Sequence, residues 1–117
     1  MTVRTEDNTY IRQIMDRLFN LNIQKVILFG SYAAGKIDED SDIDLLVVLD
    51  DERLPQTYDE WLEIKMQVRK LLLDINNKVA IDLLVYTKPQ YEILKKNMNS
   101  FQKEIHKNGK VLYAKTS

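Results

Sequence analysis

Asp42 and Asp44 flank a single isoleucine at the head of an apolar run, Leu45-Leu46-Val47-Val48-Leu49, and this spacing makes a chemical demand. Side chains two apart in a strand share a face, so the two carboxylates stand side by side at the mouth of a buried strand. Such a pair repels itself unless a cation lies between. Hard divalent cations such as Mg2+ take carboxylate oxygens and keep waters that substrate phosphates can replace. Ten residues separate Asp42 from Gly30-Ser31, which closes another apolar run, Val26-Ile27-Leu28-Phe29. Glycine lets backbone N–H groups approach a phosphate closely and the serine hydroxyl adds a donor. The pattern therefore predicts a phosphate and a metal meeting between two strand ends.

The elements that position these groups follow from periodicity. Ile11, Ile14, Met15 and Leu18 mark a helix over Thr9 to Leu21 with one buried stripe. Strands are predicted over Ile23 to Phe29 and Asp42 to Leu49, with a polar loop, Tyr32 to Ser41, between them and room in it for a helical turn. Thr57 and Glu60 form a capping-box signature for a helix carrying Trp61, Ile64, Val68, Leu71 and Ile75, ended by Asn76-Asn77. A third strand runs Val79 to Tyr86. Thr87 and Gln90 repeat the box for a last helix through Tyr91, Leu94, Met98, Phe101 and Ile105, stopped at Asn108-Gly109. Val111-Leu112-Tyr113 reads as a short edge strand. The fold class is α/β, a small mixed sheet packed against helices, and the pattern leaves the relative direction of the second and third strands open.

Composition narrows the function. At 117 residues the chain reads as one domain, residues 1–117, large enough for one core and one site. Lys+Arg 17 against Asp+Glu 18 gives no basic excess of the kind nucleic acid binding uses, so no direct nucleic acid partner is expected. Cysteine is absent, which excludes disulfide scaffolds, thiolate nucleophiles and cysteine zinc sites. With no apolar run of roughly 20 residues and a polar Met1–Asn8 segment, the expectation is a soluble, cytoplasmic protein.

Asp82 is the single charged residue of Val79-Ala80-Ile81-Asp82-Leu83-Leu84-Val85. Burying an ionised carboxylate uncompensated is costly, so it must face an edge, a partner or a metal. Beside the Asp42–Asp44 strand it would bring three carboxylates together, enough for two metal ions about 4 Å apart. Phosphoryl and nucleotidyl transfer need mostly positioning and charge neutralisation, which such a cluster supplies. Asp38-Glu39-Asp40, by contrast, reads as a solvated loop, since further acids turned inward would add repulsion. His106, the sole histidine, falls late in the last helix, where a cap or surface position is expected and no catalytic role. Tyr58, Trp61 and Tyr91 lie at helical spacing and read as core or half-buried.

Leu28-Phe29-Gly30-Ser31 with Ser41-Asp42-Ile43-Asp44-Leu45 resembles the Gly-Ser, ten residues, Asp-x-Asp signature of the DNA polymerase β nucleotidyltransferase superfamily. Chain length and the ending Asn108-Gly109-Lys110-Val111-Leu112-Tyr113 are similar to its smallest branch, the minimal nucleotidyltransferase (MNT) proteins. The resemblance implies that Asp42 and Asp44 bind two Mg2+ ions and that Asp82 helps hold the ion activating the acceptor hydroxyl. It also implies that Gly30 and Ser31 hold the nucleotide phosphates. Many MNT proteins are antitoxins of HEPN-domain ribonuclease toxins, which they neutralise by moving AMP from ATP to a toxin tyrosine or by binding alone. Transfer to a HEPN partner is thus the leading expectation, occlusion without catalysis the second, and transfer to a small-molecule hydroxyl a third. Relatives often carry an arginine just before the second glycine, where this chain has Ala34-Gly35. Lys36 replaces that charge in part as a nucleotide-binding residue, without arginine's planar fork. The HEPN signature, an arginine followed by a histidine some residues later, has no match because no arginine lies beyond Arg69.

Overall fold

Strand β2 (Ile43–Leu49) is buried on both faces, as its unbroken apolar run requires, and the rest of the molecule is arranged around it. The computed structural model describes residues 8–37 and 40–116, so Asp38 and Glu39 of the expected acidic loop lie outside the described residues. β2 pairs antiparallel with β1 (Ile23–Phe29) and parallel with β3 (Ile81–Thr87), while β4 (Lys110–Ala114) pairs antiparallel with β1. The sheet order is β3-β2-β1-β4 and the sheet is mixed, as expected. The parallel β2–β3 pair answers the open question of direction. Such a pair needs a crossover, supplied by α3 (Tyr58–Leu71) and α4 (Leu73–Asn76).

Alternation along the strands sorts the helices into two layers. Ile43, Leu45, Val47 and Leu49 of β2 face a core completed by Ile11, Ile14 and Leu18 of α1 (Thr9–Leu18), by Ile64 and Val68 of α3, and by Ile75 of α4. Leu46 and Val48 face the other way, toward Tyr91 of α5 (Lys88–Lys96) and Ile105 of α6 (Ser100–Asn108). Asp44 shares the parity of Leu46 and Val48, which aims it to the α5–α6 side. No helix among the described residues is long and apolar enough to cross a membrane.

Four local features differ from the sequence expectation. Gly30-Ser31 opens a short helix, α2 (Gly30–Ala34), rather than a bare turn. The long crossover helix breaks at Leu72, so Leu72 and not Leu71 joins Ile75 in the core. The last helix is two. Asn99 and Gln102 form a full capping box of their own, starting α6 and rotating Phe101 out of the expected stripe to 57% exposure. Tyr58, expected in the core or half-buried, is 69% exposed. Gly109 ends α6 where expected, in extended conformation with φ −72. Its missing side chain is required by space, because a Cβ there would lie 2.3 Å from the Ile105 carbonyl oxygen and 2.7 Å from Ile27 Cγ2.

Candidate active site

Sheet register brings the acids together. Phe29 of β1 and Asp82 of β3 are the two cross-strand partners of Asp44, so Gly30 follows directly on one side and Asp82 stands level on the other. Gly30 has φ +72, a left-handed conformation that glycine alone adopts without strain. It also abuts the acid: a Cβ on Gly30 would lie 2.1 Å from Asp44 Oδ2. One glycine thus answers both a backbone and a packing requirement, and it ties the Gly-Ser segment to the Asp44 carboxylate.

The electrostatics show an uncompensated pair. Burial, the neighbouring Asp82 charge, a carboxyl–carboxylate hydrogen bond with Asp82 and, last, the Asp42 charge push the Asp44 carboxyl up to about 6. Asp82 is exposed on the edge strand, which meets the demand that a lone charge in an apolar strand find an edge. Asp42 is exposed just ahead of β2. Among the described residues no group of three or more acidic, histidine or cysteine side chains stands close enough to hold a metal ion. The carboxylates that meet are therefore two. Their chemistry fits a hard divalent cation: an all-oxygen donor pair in which the Asp82 charge disfavours ionisation of Asp44.

Asp44 and Asp82 line a cavity of about 650 Å3 together with Gly30, Phe29 and Phe101 on one flank and Lys65 and Arg69 of α3 on the other. Ser31, Lys36 and Asp42 are not among its walls. Ser31 and Lys36 are exposed on and just after α2. Sequence reading missed Lys65, Arg69 and Phe101 as site residues. The two cations sit four residues apart, each one position beyond a core residue of α3 (Ile64 and Val68), a border position that gave a usable signal. His106 takes a structural place, with Nδ1 donating to the Gln102 carbonyl (2.8 Å) and Nε2 accepting from the Tyr91 hydroxyl (2.7 Å).

The start of β3 is fixed by Asn76, whose Oδ1 accepts the Ile81 N–H at 2.8 Å, next to the Ala80 carbonyl that accepts the Ile43 N–H at 2.9 Å. Both bonds hold Asp82 level with Asp44. Asn76→Ala is expected to cost about 1 kcal/mol, read by chemical denaturation, because the part-buried Ile81 N–H loses its acceptor.

Residues 11–117 match the family described as polymerase beta, nucleotidyltransferase. The chain belongs to that family, and the enzyme class is nucleotidyltransferase. It is 38% identical over 92 residues, 78% of this chain and 79% of the relative, to the Methanocaldococcus jannaschii protein named "Putative protein adenylyltransferase MJ0604". A second M. jannaschii protein of the same description is 40% identical over 62 residues, half of this chain and 61% of the relative. Among solved structures, a toxin–antitoxin crystallised with AMP-PNP superposes with a TM-score of 0.60 at 22% identity, covering 93% of this chain and 76% of the other. A mutant MntA–HpeT toxin–antitoxin gives 0.54 at 19% identity, over 90% and 73%. At these identities the superpositions establish the shared fold.

Proposed function

We propose that this nucleotidyltransferase moves AMP from ATP to a hydroxyl of a partner protein, a tyrosine of a HEPN toxin, and so serves as the antitoxin of a cytoplasmic toxin–antitoxin pair. The observation that carries the reading is the level pairing of Asp44 with Asp82 against Gly30. The naming of its relatives as adenylyltransferases and the toxin–antitoxin neighbours support the choice of donor and partner.

In this reading Gly30 and Ser31 receive the triphosphate, and exposed Lys36 adds positive charge on its solvent side. Asp42 and Asp44, joined by Asp82, would hold Mg2+, which when bound neutralises phosphate charge and lowers the pKa of the acceptor hydroxyl. Asp82, on the open edge of the sheet, meets the incoming hydroxyl and takes its proton. The acceptor oxygen then bonds to the α-phosphorus as the bond to the β-phosphate oxygen breaks and pyrophosphate leaves.

Occlusion without transfer is the second reading. The exposed position of Asp42, outside the walls of the cavity that holds the other two acids, favours it. Intact-mass spectrometry of the HEPN partner, incubated with this protein, Mg2+ and each nucleoside triphosphate in turn, separates the two. Transfer predicts a mass gain of one or more AMP units with ATP, absent with the Asp42→Asn/Asp44→Asn variant. An unchanged mass in a stable complex would leave occlusion.

A further inference from the structure

Phe101 is a large aromatic side chain left mostly in solvent. With 57% of its surface exposed, it meets the Phe29 ring edge-on, at 6.1 Å and 83°. Its position is nonetheless specific. The cavity holding Asp44 and Asp82 shares Phe29, Gly30 and Phe101 with a second hollow of about 510 Å3, so Phe101 is the partition between them. The second hollow is lined further by Glu104 and Asn108, three and seven residues on from Phe101 and so on the same side of α6. The Asn108 side-chain amide donates to the Glu104 carboxylate, forming one polar rim.

We propose that Phe101 is the stacking platform for the nucleobase of the donor nucleotide and that the Asn108–Glu104 pair reads the edge of that base, selecting adenine. The inference rests on the reading of Gly30-Ser31 as the phosphate seat. Gly30 lines both cavities, so a nucleotide whose phosphates lie there has its base within reach of Phe101. Aromatic rings bind any base through its π-face, which gives affinity without choice. Choice comes from the rim. A carboxylate accepts from the exocyclic amine of adenine, and an asparagine amide matches adenine's adjacent donor and acceptor. Guanine would set a carbonyl oxygen against the same carboxylate. Cytosine keeps an amine but stacks over less area.

Calorimetry with the full chain, Mg2+ and non-hydrolysable ATP and GTP analogues tests this without relying on transfer. Phe101→Ala is expected to weaken both analogues by about tenfold or more. Phe101→Trp should retain binding and report it through quenching of the new indole. Glu104→Ala should narrow the preference for ATP over GTP. Wild-type binding of ATP that Phe101→Ala leaves unchanged would overturn the platform while the phosphate reading stands. Loss of partner binding alone in that variant would likewise overturn it and assign Phe101 to the protein interface. Equal wild-type affinity for the two analogues would overturn the edge reading. A wild-type chain that binds neither analogue would refute the phosphate seat itself, and the platform with it.

Discussion

Asp44→Asn is expected to lower nucleotidyl transfer by on the order of 10^3-fold or more and, at the same time, to raise the melting temperature of the metal-free protein at neutral pH. The two effects have one cause. Asp44 is held against Asp82 in a partly desolvated position, and its carboxyl is pushed up to about 6 from 3.8. The folded state therefore binds a proton between those values that the unfolded state has released. Stability contributed by that proton is present at low pH and is lost as pH rises from about 4 to about 6, so at pH 7.5 the apo protein carries the full penalty of the ionised pair. Undamped, a shift of this size is worth about 3 kcal/mol. Water reaching a partly exposed carboxyl reduces that to about 1 kcal/mol, or about 4 °C. Asparagine has the same shape beside Gly30 and can donate to Asp82 where aspartate repels it. Melting curves in EDTA from pH 4 to 8 check the prediction: the wild type should lose stability across the window and the variant should not. Added Mg2+ should stabilise the wild type selectively at neutral pH. A variant less stable than wild type at pH 7.5 in EDTA would contradict the account.

The parts of this site that sequence makes legible are those fixed by period. The two-residue spacing of Asp42 and Asp44 and the apolar runs around Gly30, Asp44 and Asp82 define three strands whose ends carry the acids, and the sheet has them. What period does not carry is the relative height of neighbouring strands. That Asp82 falls level with Asp44 depends on the parallel register, pinned by hydrogen bonds such as Asn76 to Ile81 from outside the strand. Helix punctuation was legible but outweighed. Asn99 and Gln102 spell a capping box inside a run whose apolar spacing continues unbroken through Phe101 and Ile105, and here the cap decides. Period alone placed Phe101 in the core, whereas the cap leaves it at the mouth of the cavity. Lys65 and Arg69 escaped for a different reason: their border position was a signal, but a border cation on an amphipathic helix is ordinarily a solvated face, and it is the tertiary placement of α3 that puts these two on the wall of the cavity holding Asp82.

Gly30→Ala is expected to lower transfer by on the order of 100-fold or more, because the side chain it adds occupies the place of the Asp44 carboxylate. Two penalties combine at this position. A non-glycine residue in left-handed conformation costs about 1–2 kcal/mol. Beyond that, the new Cβ at 2.1 Å from Oδ2 must displace the carboxylate from its place between Gly30 and Asp82. Gly35 separates the two terms. It has φ +73, nearly the same as the +72 of Gly30, but a Cβ there meets nothing within 4 Å. Gly35→Ala should therefore show the backbone cost alone, about 1 kcal/mol, with transfer within a few-fold of wild type. The excess destabilisation of Gly30→Ala over Gly35→Ala measures the collision. That excess should vanish when Gly30→Ala is made in an Asp44→Ala background, where the clashing oxygen is gone and the nearest Asp44 atom left is Cβ at 3.5 Å. Equal transfer by the two single alanine variants, or an excess that survives removal of the carboxylate, would show that Gly30 acts through its backbone only. The expected coupling instead makes the Gly-Ser segment and the Asp-x-Asp strand one device, in which the glycine sets where the carboxylate stands.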